Sequence, residues 1–359
     1  MIRKLSFAFF GVVLAAALAL GVVSWKLHSA LEQPLQLDEA QTLEVQPGDT
    51  PSGLFQRLER DGTLSDSLWL RLHWRMKLAG QTLHSGEYQL RPEMTARDLI
   101  GLWQRGEVVQ HTLTIVEGWN FRQVRAALEA LATVQQTLVG LTDEQIMQRL
   151  GQAGLHPEGR FFPDTYSFTR GVTDLELLRR AYERLETVLA EEWQQRSEGL
   201  PYRDPYEALI MASIIEKETG VPSERGEIAG VFVRRLERGM LLQTDPTVIY
   251  GMGEQYRGRI TRGDLRRPTP YNTYTNSGLP PTPIAMVGRE AIHAALHPVE
   301  GKSLYFVARG DGSHQFSDSL SEHNRAVREY QLKRRADYRS SPPPSPRPAP
   351  APAPIENAQ

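Results

Sequence analysis

The residues best suited to chemistry lie between Tyr206 and Leu242, YEALIMASIIEKETGVPSERGEIAGVFVRRLERGMLL, where two glutamates stand two positions apart at the end of an apolar helix. At roughly 100° per residue, Ala208, Met211, Ala212, Ile214 and Ile215 share one face, and Glu218 projects onto it one turn later. A carboxyl group among apolar side chains loses hydration, and one in the last helical turn meets the negative end of the helix dipole. Both effects favour the protonated form. Glu218 is therefore the better general acid of the pair, of the kind that glycosidic bond cleavage requires. Glu216 and Lys217 fall on the opposite side with Ser213 and Tyr206, where water is expected to solvate them. Periodicity alone leaves a bland alternative open, in which Glu218 pairs with a cation of the next helix such as Arg225.

These side chains need elements to hold them. Thr219-Gly220-Val221-Pro222 should stop the Glu218 helix, with Gly220 placed for a left-handed cap. A second helix starts near Ser223, buries Ile228, Val231, Phe232 and Leu236, and stops at Gly239. Asp174 to Gln195 reads as a long charged helix whose buried stripe is Leu175, Leu178, Ala181, Leu185 and Leu189. Thr112 to Val116 is strand-like, Glu117 to Asn120 a turn, and 121–132 helical; Phe161 and Phe162 in the loop that follows suit a core better than a sugar-stacking surface. Nearer the N-terminus, a strand runs into the turn Pro47-Gly48-Asp49. Helices then occupy Thr50–Arg60 and Ser65–Ala79, a strand Gly86–Leu90, and a short capped helix Met94–Ile100. The expected class is α+β: a small module over 41–110 and a larger one over 111–338.

Both ends differ from this middle. Leu5 to Trp25 is 21 residues without a charge, roughly 30 Å as a helix and enough to cross a hydrocarbon core. Arg3 and Lys4 precede it, so residues 1–26 are expected to be a cytoplasmic tip and transmembrane anchor, with everything later outside the cytoplasm. A cleaved signal peptide is the rival, disfavoured by the length of the run and the lack of a small-x-small site. Residues 27–40 read as a polar linker. At the other end, 8 of the 24 prolines fall in the last twenty residues, so 339–359 is expected to be disordered or polyproline II.

Ordered strings across the C-terminal half add a resemblance. ASIIEKET with SER, then Gln243-Thr244-Asp245-Pro246-Thr247-Val248-Ile249-Tyr250-Gly251, Tyr271-Asn272-Thr273-Tyr274, Gly278-Leu279-Pro280-Pro281, Pro283-Ile284, His297-Pro298, Leu304-Tyr305-Phe306-Val307 and His323-Asn324 together look like the YceG-like family of endolytic murein transglycosylases. Val45 to Thr50 resembles the opening of a LysM module, a small glycan-binding fold. The resemblance implies a lytic transglycosylase of the bacterial inner membrane, with its catalytic domain in the periplasm. It would cut the β-1,4 bond between N-acetylmuramic acid and N-acetylglucosamine and leave a 1,6-anhydro end. It further implies action on nascent strands to limit glycan length, beside peptidoglycan synthases. The family's catalytic acid falls on Glu218, with Glu216 as the other assignment, and Glu218-Thr219 is similar to the Glu-Ser pair of other lytic transglycosylases. Thr219, Gln243, Asp245, Tyr271, Asn272, Tyr274 and Asn324 supply polar and aromatic groups suited to holding sugars, although several are also ordinary turn formers. A hydrolytic muramidase and a non-catalytic glycan-binding scaffold stay open as alternatives.

Composition removes other classes. Lys plus Arg (41) nearly cancels Asp plus Glu (43), so no global positive field exists for nucleic acid. The absence of cysteine rules out disulfides, thiol nucleophiles and Cys-ligated metal. Gly251-Met252-Gly253 does not continue into a dinucleotide fingerprint. His293 and His297 are spaced i, i+4, but Pro298 follows and no acidic third ligand stands nearby in the sequence, so a core or capping role is expected. No cofactor and no metal is expected, and the run Gln331 to Arg335 reads as a solvated helix end.

Overall fold

The computed structural model describes residues 2–332. The expected Pro/Ala tail and Lys333 to Arg335 lie outside the described residues. Two compact units emerge: one comprises residues up to Thr112 with Ala132–Gln135 and Ser167–Val172, the other Leu113–Leu131, Gln136–Tyr166 and the chain from Thr173 onward.

In the first unit, helix α1 (Ile2–Glu32) contains the stretch Phe9–Glu32, whose most apolar window has a mean hydropathy of 2.0 and carries no burial. The segment read as a polar linker is a correction: α1 continues to Glu32, and Ala30, Leu31 and Leu35 are buried in the core of this unit. Three small apolar side chains spaced along a largely polar stretch are too sparse a pattern for periodicity to report. β1 (Gln41–Val45), α2 (Pro51–Arg60), α3 (Leu68–Lys77) and β2 (Gly86–Leu90) follow, with β1 and β2 antiparallel from Gln41 opposite Leu90 to Val45 opposite Gly86. Thr50 accepts from the Gly53 N–H and Pro51 opens the first turn of α2, as helix starts favour. α4 (Ala96–Arg105) outruns its expected end because Leu102 and Trp103 extend the buried stripe to Gly106, whose φ of 62° caps it. Phe55, Trp74 and Trp103 meet at ring-centroid distances of 5.0 to 6.4 Å and form the centre of this core.

The unit boundaries fall within β3 (His111–Thr114) and β4 (Thr165–Phe168), and the second unit holds α5 (Phe121–Glu129), α6 (Asp143–Arg149), α7 (Asp174–Gln194) and α8 (Pro205–Glu218). α9 (Arg225–Glu237), α10 (Asp245–Met252), α11 (Arg289–Leu296), the hairpin β5 (Tyr305–Ala308) with β6 (His314–Ser317), and α12 (Leu320–Val327) complete it. α8 is the axis: α7, α9, α10 and α11 all pack on it, and every residue from Ala208 to Ile215 is buried. This corrects the expectation of a solvated face. Ser213 is fully buried, donating to the Ile210 carbonyl at 2.7 Å and accepting the Ile284 N–H at 3.0 Å. Small and hydroxyl side chains on the less apolar side still admit close neighbours, which an amphipathic reading treats as water. The end of α8 differs too: Thr219, extended at φ −139° and ψ 135°, terminates it rather than a left-handed Gly220, and Pro222 opens a 3-10 turn into α9. In α7 the expected Leu178, Ala181, Leu185 and Leu189 are buried together with Leu177 and Val188, while Leu175 is only half-buried. Phe161 and Phe162 are core residues, as expected.

The loop before β4 is fitted tightly to the segment after α10. Gly159 has φ of 74°, and a Cβ there would lie 2.4 Å from Cβ of Pro283. Left-handed backbone and overpacking together predict that Gly159→Ala lowers stability by about 2–4 kcal/mol. Urea unfolding of the purified chain checks this; a midpoint equal to wild type would contradict the fit.

Candidate active site

Glu218 closes α8 as a half-buried residue, one turn after the fully buried Ile214 and Ile215. Its Oε1 accepts a short hydrogen bond from the Thr244 hydroxyl. Burial, with the nearby Asp245 charge, pushes the Glu218 carboxyl up to about 7; the Thr244 bond and Arg235 pull the other way without cancelling it. A carboxyl with that value carries its proton at mildly acidic pH and can return to carboxylate, which is what acid and base steps in one cycle need.

Thr244 is held by a buried threonine cluster. Its N–H donates to Thr273 Oγ1 at 3.1 Å, its carbonyl accepts from Thr247 Oγ1 at 2.8 Å, and the Thr247 and Thr273 hydroxyls meet at 2.9 Å. Just before it, Gln243 has φ of 54°, the one positive value at a non-glycine among the described residues. Such a conformation costs on the order of 1–3 kcal/mol and persists only where its surroundings enforce it; here the Gln243 N–H is fixed on the Thr273 carbonyl at 3.2 Å. The kink leaves Gln243 exposed while Thr244 turns inward toward Glu218. On the other side, Asp245 Oδ1 accepts from the Tyr274 hydroxyl at 2.6 Å. Burial and Asp245 together raise the Tyr274 pKa, keeping that hydroxyl a donor. Arg235 lies buried behind the cluster, donating to the carbonyls of Leu304 at 2.7 Å, Leu242 at 2.7 Å and Leu241 at 3.2 Å, and resting 5.0 Å from the Tyr305 ring centroid.

The residues expected from sequence divide accordingly. Gln243, Asp245 and Tyr274 converge on the Thr244–Glu218 pair, and Thr219 adjoins it, with Oγ1 accepting from the Val221 N–H at 2.9 Å. Asn272 is fully buried: its amide donates to the Arg267 carbonyl at 2.7 Å and its Oδ1 accepts from the Tyr274 N–H at 2.9 Å. It shapes the Tyr274 turn from inside and does not face a ligand. Tyr271 sends its hydroxyl to Thr282 at 2.9 Å and packs edge-on against Tyr250 at 4.7 Å. Asn324 lies exposed on α12, and no hydrogen bond joins its side chain to the cluster. Thr244, Thr247, Thr273 and Arg235 were not picked out, although all three threonines lie inside the strings that carried the resemblance.

Two expectations about the neighbouring carboxylate are corrected. Glu216 is not solvated: its side chain is 7% exposed, 3.9 Å from Arg225, and it accepts the Gly288 N–H at 3.2 Å. Burial, with the Glu117 charge, lifts it to about 7 as well. Arg225 therefore pairs with Glu216 and Glu290, and the alternative pairing with Glu218 is not formed. A third raised carboxyl, Glu158, also about 7 through burial, accepts the Phe121 N–H at 3.0 Å and the Tyr250 hydroxyl at 2.9 Å, so it caps α5. His293 does have an acidic partner, Glu192 of α7, at 2.9 Å; a sequence separation of 101 residues hid it.

The two influences on Glu218 act in opposite directions and can be separated. Thr244→Val, which removes a bond that lowers the Glu218 pKa, should move it above about 7, whereas Asp245→Asn should move it below. Titration of carboxyl-labelled glutamate by carbon NMR reads both; shifts of the same sign would contradict this arrangement.

Comparison with known proteins places this geometry in a family. The profile of the YceG-like family matches residues 43–329. A Bacillus subtilis (strain 168) protein named endolytic murein transglycosylase is 31% identical over 320 residues, covering 84% of this chain and 88% of the relative. A Streptococcus pneumoniae (strain D39) protein of the same name is 27% identical, and this chain spans 58% of its length. A crystal structure of a yceG-like protein from Listeria monocytogenes superposes with a TM-score of 0.50 at 29% identity, covering 80% of this chain and 99% of that one. With most of its length matched by the family profile and a relative above 30% identity, the chain belongs to the YceG-like family.

Proposed function

We propose that this protein is a membrane-anchored lytic transglycosylase that cuts peptidoglycan strands internally at the bond between N-acetylmuramic acid and N-acetylglucosamine, leaving 1,6-anhydro ends. The observation that carries this reading is Glu218: a half-buried residue whose carboxyl is raised to about 7 and fixed by a single hydroxyl. The family assignment and the names of the relatives support the substrate class.

One carboxyl group suffices for this chemistry. Glu218, protonated, gives its proton to the glycosidic oxygen as the bond to the muramic acid C1 breaks. As carboxylate it then takes the proton of the C6 hydroxyl, whose oxygen attacks C1 and closes the anhydro ring, so the acid is regenerated with no water consumed. The nucleophile is already tethered to the reacting carbon, which removes much of the entropic barrier. A hydrolase would instead use a second carboxylate on water or on the sugar. We assign Asp245 to keeping Glu218 protonated and, with Gln243, Tyr274, Thr219 and Tyr271, to lining the sugar site. Asn324 is assigned there only on its place in the family strings.

The apolar part of α1 supports an inner-membrane anchor, with Arg3 and Lys4 on the cytoplasmic side and both units in the periplasm. The strand-helix-helix-strand order and antiparallel β1–β2 pair of the first unit fit a LysM-like glycan-binding role. Action on nascent strands beside the synthases follows from this tethering to the membrane where strands are made.

Glu218→Gln keeps the acceptor oxygen for Thr244 but cannot donate a proton to the leaving oxygen, so release of anhydro-ended fragments from purified glycan should fall at least about a thousandfold. Undiminished product would refute the assignment. The same variant carries a stability signature. In the fold this carboxyl keeps its proton up to about 7, against an ordinary value of 4.5. The folded state therefore binds more protons between those values, and this group's contribution to stability falls as pH rises through that window. Glu218→Gln should accordingly melt at a higher temperature than wild type at pH 8 and close to it at pH 4; equal melting at pH 8 would contradict the raised value. For wild type, kcat/KM should fall as pH rises through about 7, as the acid is lost.

A further inference from the structure

We propose a second site in this protein: a divalent transition-metal site of the zinc class formed by Glu192, His293 and His297, bridging α7 to the end of α11. One nitrogen from each imidazole and one carboxylate oxygen lie within 4.8 Å of one another. The Glu192 Oε2 to His293 Nδ1 separation is 2.9 Å and the two rings lie 4.2 Å apart. Two ligands at the usual 2.0–2.1 Å from a tetrahedral zinc are about 3.3 Å apart, so the first pair already has the required spacing. His293, with a side chain 58% exposed, has room to adjust toward the ion by rotating about its own side-chain bonds.

Two independent observations point to an ion rather than to a hydrogen-bonded triad alone. The Nε2 of His297 is buried without a hydrogen-bond partner, a condition that is rare in folded proteins and calls for a ligand. The cluster also opens on a cavity of about 360 Å³ that includes Pro222, Arg225 and Glu290 in its wall, leaving room for water in the remaining coordination positions. Glu192 has one oxygen to spare for the ion, because its Oε1 is held by Arg289 at 2.7 Å; such an outer partner fixes a ligating carboxylate in place. Two imidazoles and a carboxylate favour zinc or a neighbouring late transition metal over magnesium or calcium. Since α11 packs on α8, the ion would tie α7 to the helix that supports the Glu218 helix, as a brace.

The test uses the full chain in detergent, free of affinity tag and stripped with a chelator, then titrated with Zn²⁺, and with Co²⁺ as the spectroscopic probe. Wild type should bind one equivalent, show visible cobalt bands of low-coordinate N/O ligation, and melt about 5 °C higher at a hundredfold excess of zinc over its dissociation constant. His293→Ala, at an exposed position that should not disturb folding, and Glu192→Gln should each weaken binding at least about a hundredfold and abolish the cobalt bands. Wild type without cobalt bands or a melting shift, or equal affinity in both variants, would overturn the site. Neither outcome bears on Glu218, so the proposal stands or falls apart from the transglycosylase reading.

Discussion

On the proposed function, one constraint governs the Glu218 site: a carboxyl group must stay protonated near neutral pH and still be reachable. Full burial would give the first property and lose the second. The structure resolves the conflict by placing Glu218 as the last residue of a helix whose body is buried on all sides, so that desolvation comes from the helix and access from its end. A single hydroxyl, Thr244, then fixes the carboxyl without flooding it with donors that would hold it ionised. Two or three backbone N–H groups in that position would have pulled the pKa down instead.

That hydroxyl has its own supports. The strained backbone at Gln243, the interlocked Thr247 and Thr273, and the buried Asn272 form successive layers that allow Thr244 a single orientation. On the proposed function, activity would thus rest on residues placed behind the acid. Glu216 illustrates the difference. It has the same raised pKa through burial, yet it is closed off by Gly288 and Arg225, so a perturbed pKa without access gives a structural carboxyl. Glu158 and Glu216 are each held by a backbone N–H, whereas Glu218 is held by the Thr244 hydroxyl.

Much of this organisation is legible in the sequence where the pattern is local. The ends of α2 and α7, the start of α5, the strands β1 and β2, and Glu218 in the last turn of an apolar helix follow from caps, alternation and spacing. What escaped reading depends on contacts distant along the chain. The polar-looking side of α8 is covered by Ile284 and Gly288, more than seventy positions away, so periodicity mistook a buried helix for an amphipathic one. Thr244 was passed over between Gln243 and Asp245 because a threonine carries no chemistry until a carboxylate is brought beside it. Glu192 reaches His293 only through the packing of α7 on α11, and the buried end of α1 depends on neighbours in α3 and α4. Helix face, on which Glu218 is preferred to Glu216, does not separate the two, since both are desolvated; what differs is the partner, a Thr244 hydroxyl for Glu218 against the Gly288 N–H and Arg225 for Glu216.

The central claim is that one carboxyl acts as acid and then base while the substrate supplies the nucleophile, so water never enters the new bond. Digestion of purified glycan strands by the full chain in ¹⁸O-enriched water, followed by mass analysis of the fragments, tests this most directly. The account predicts muramic acid ends lacking the mass of one water and carrying no ¹⁸O. Fragments that have gained one ¹⁸O at the cleaved carbon would contradict it.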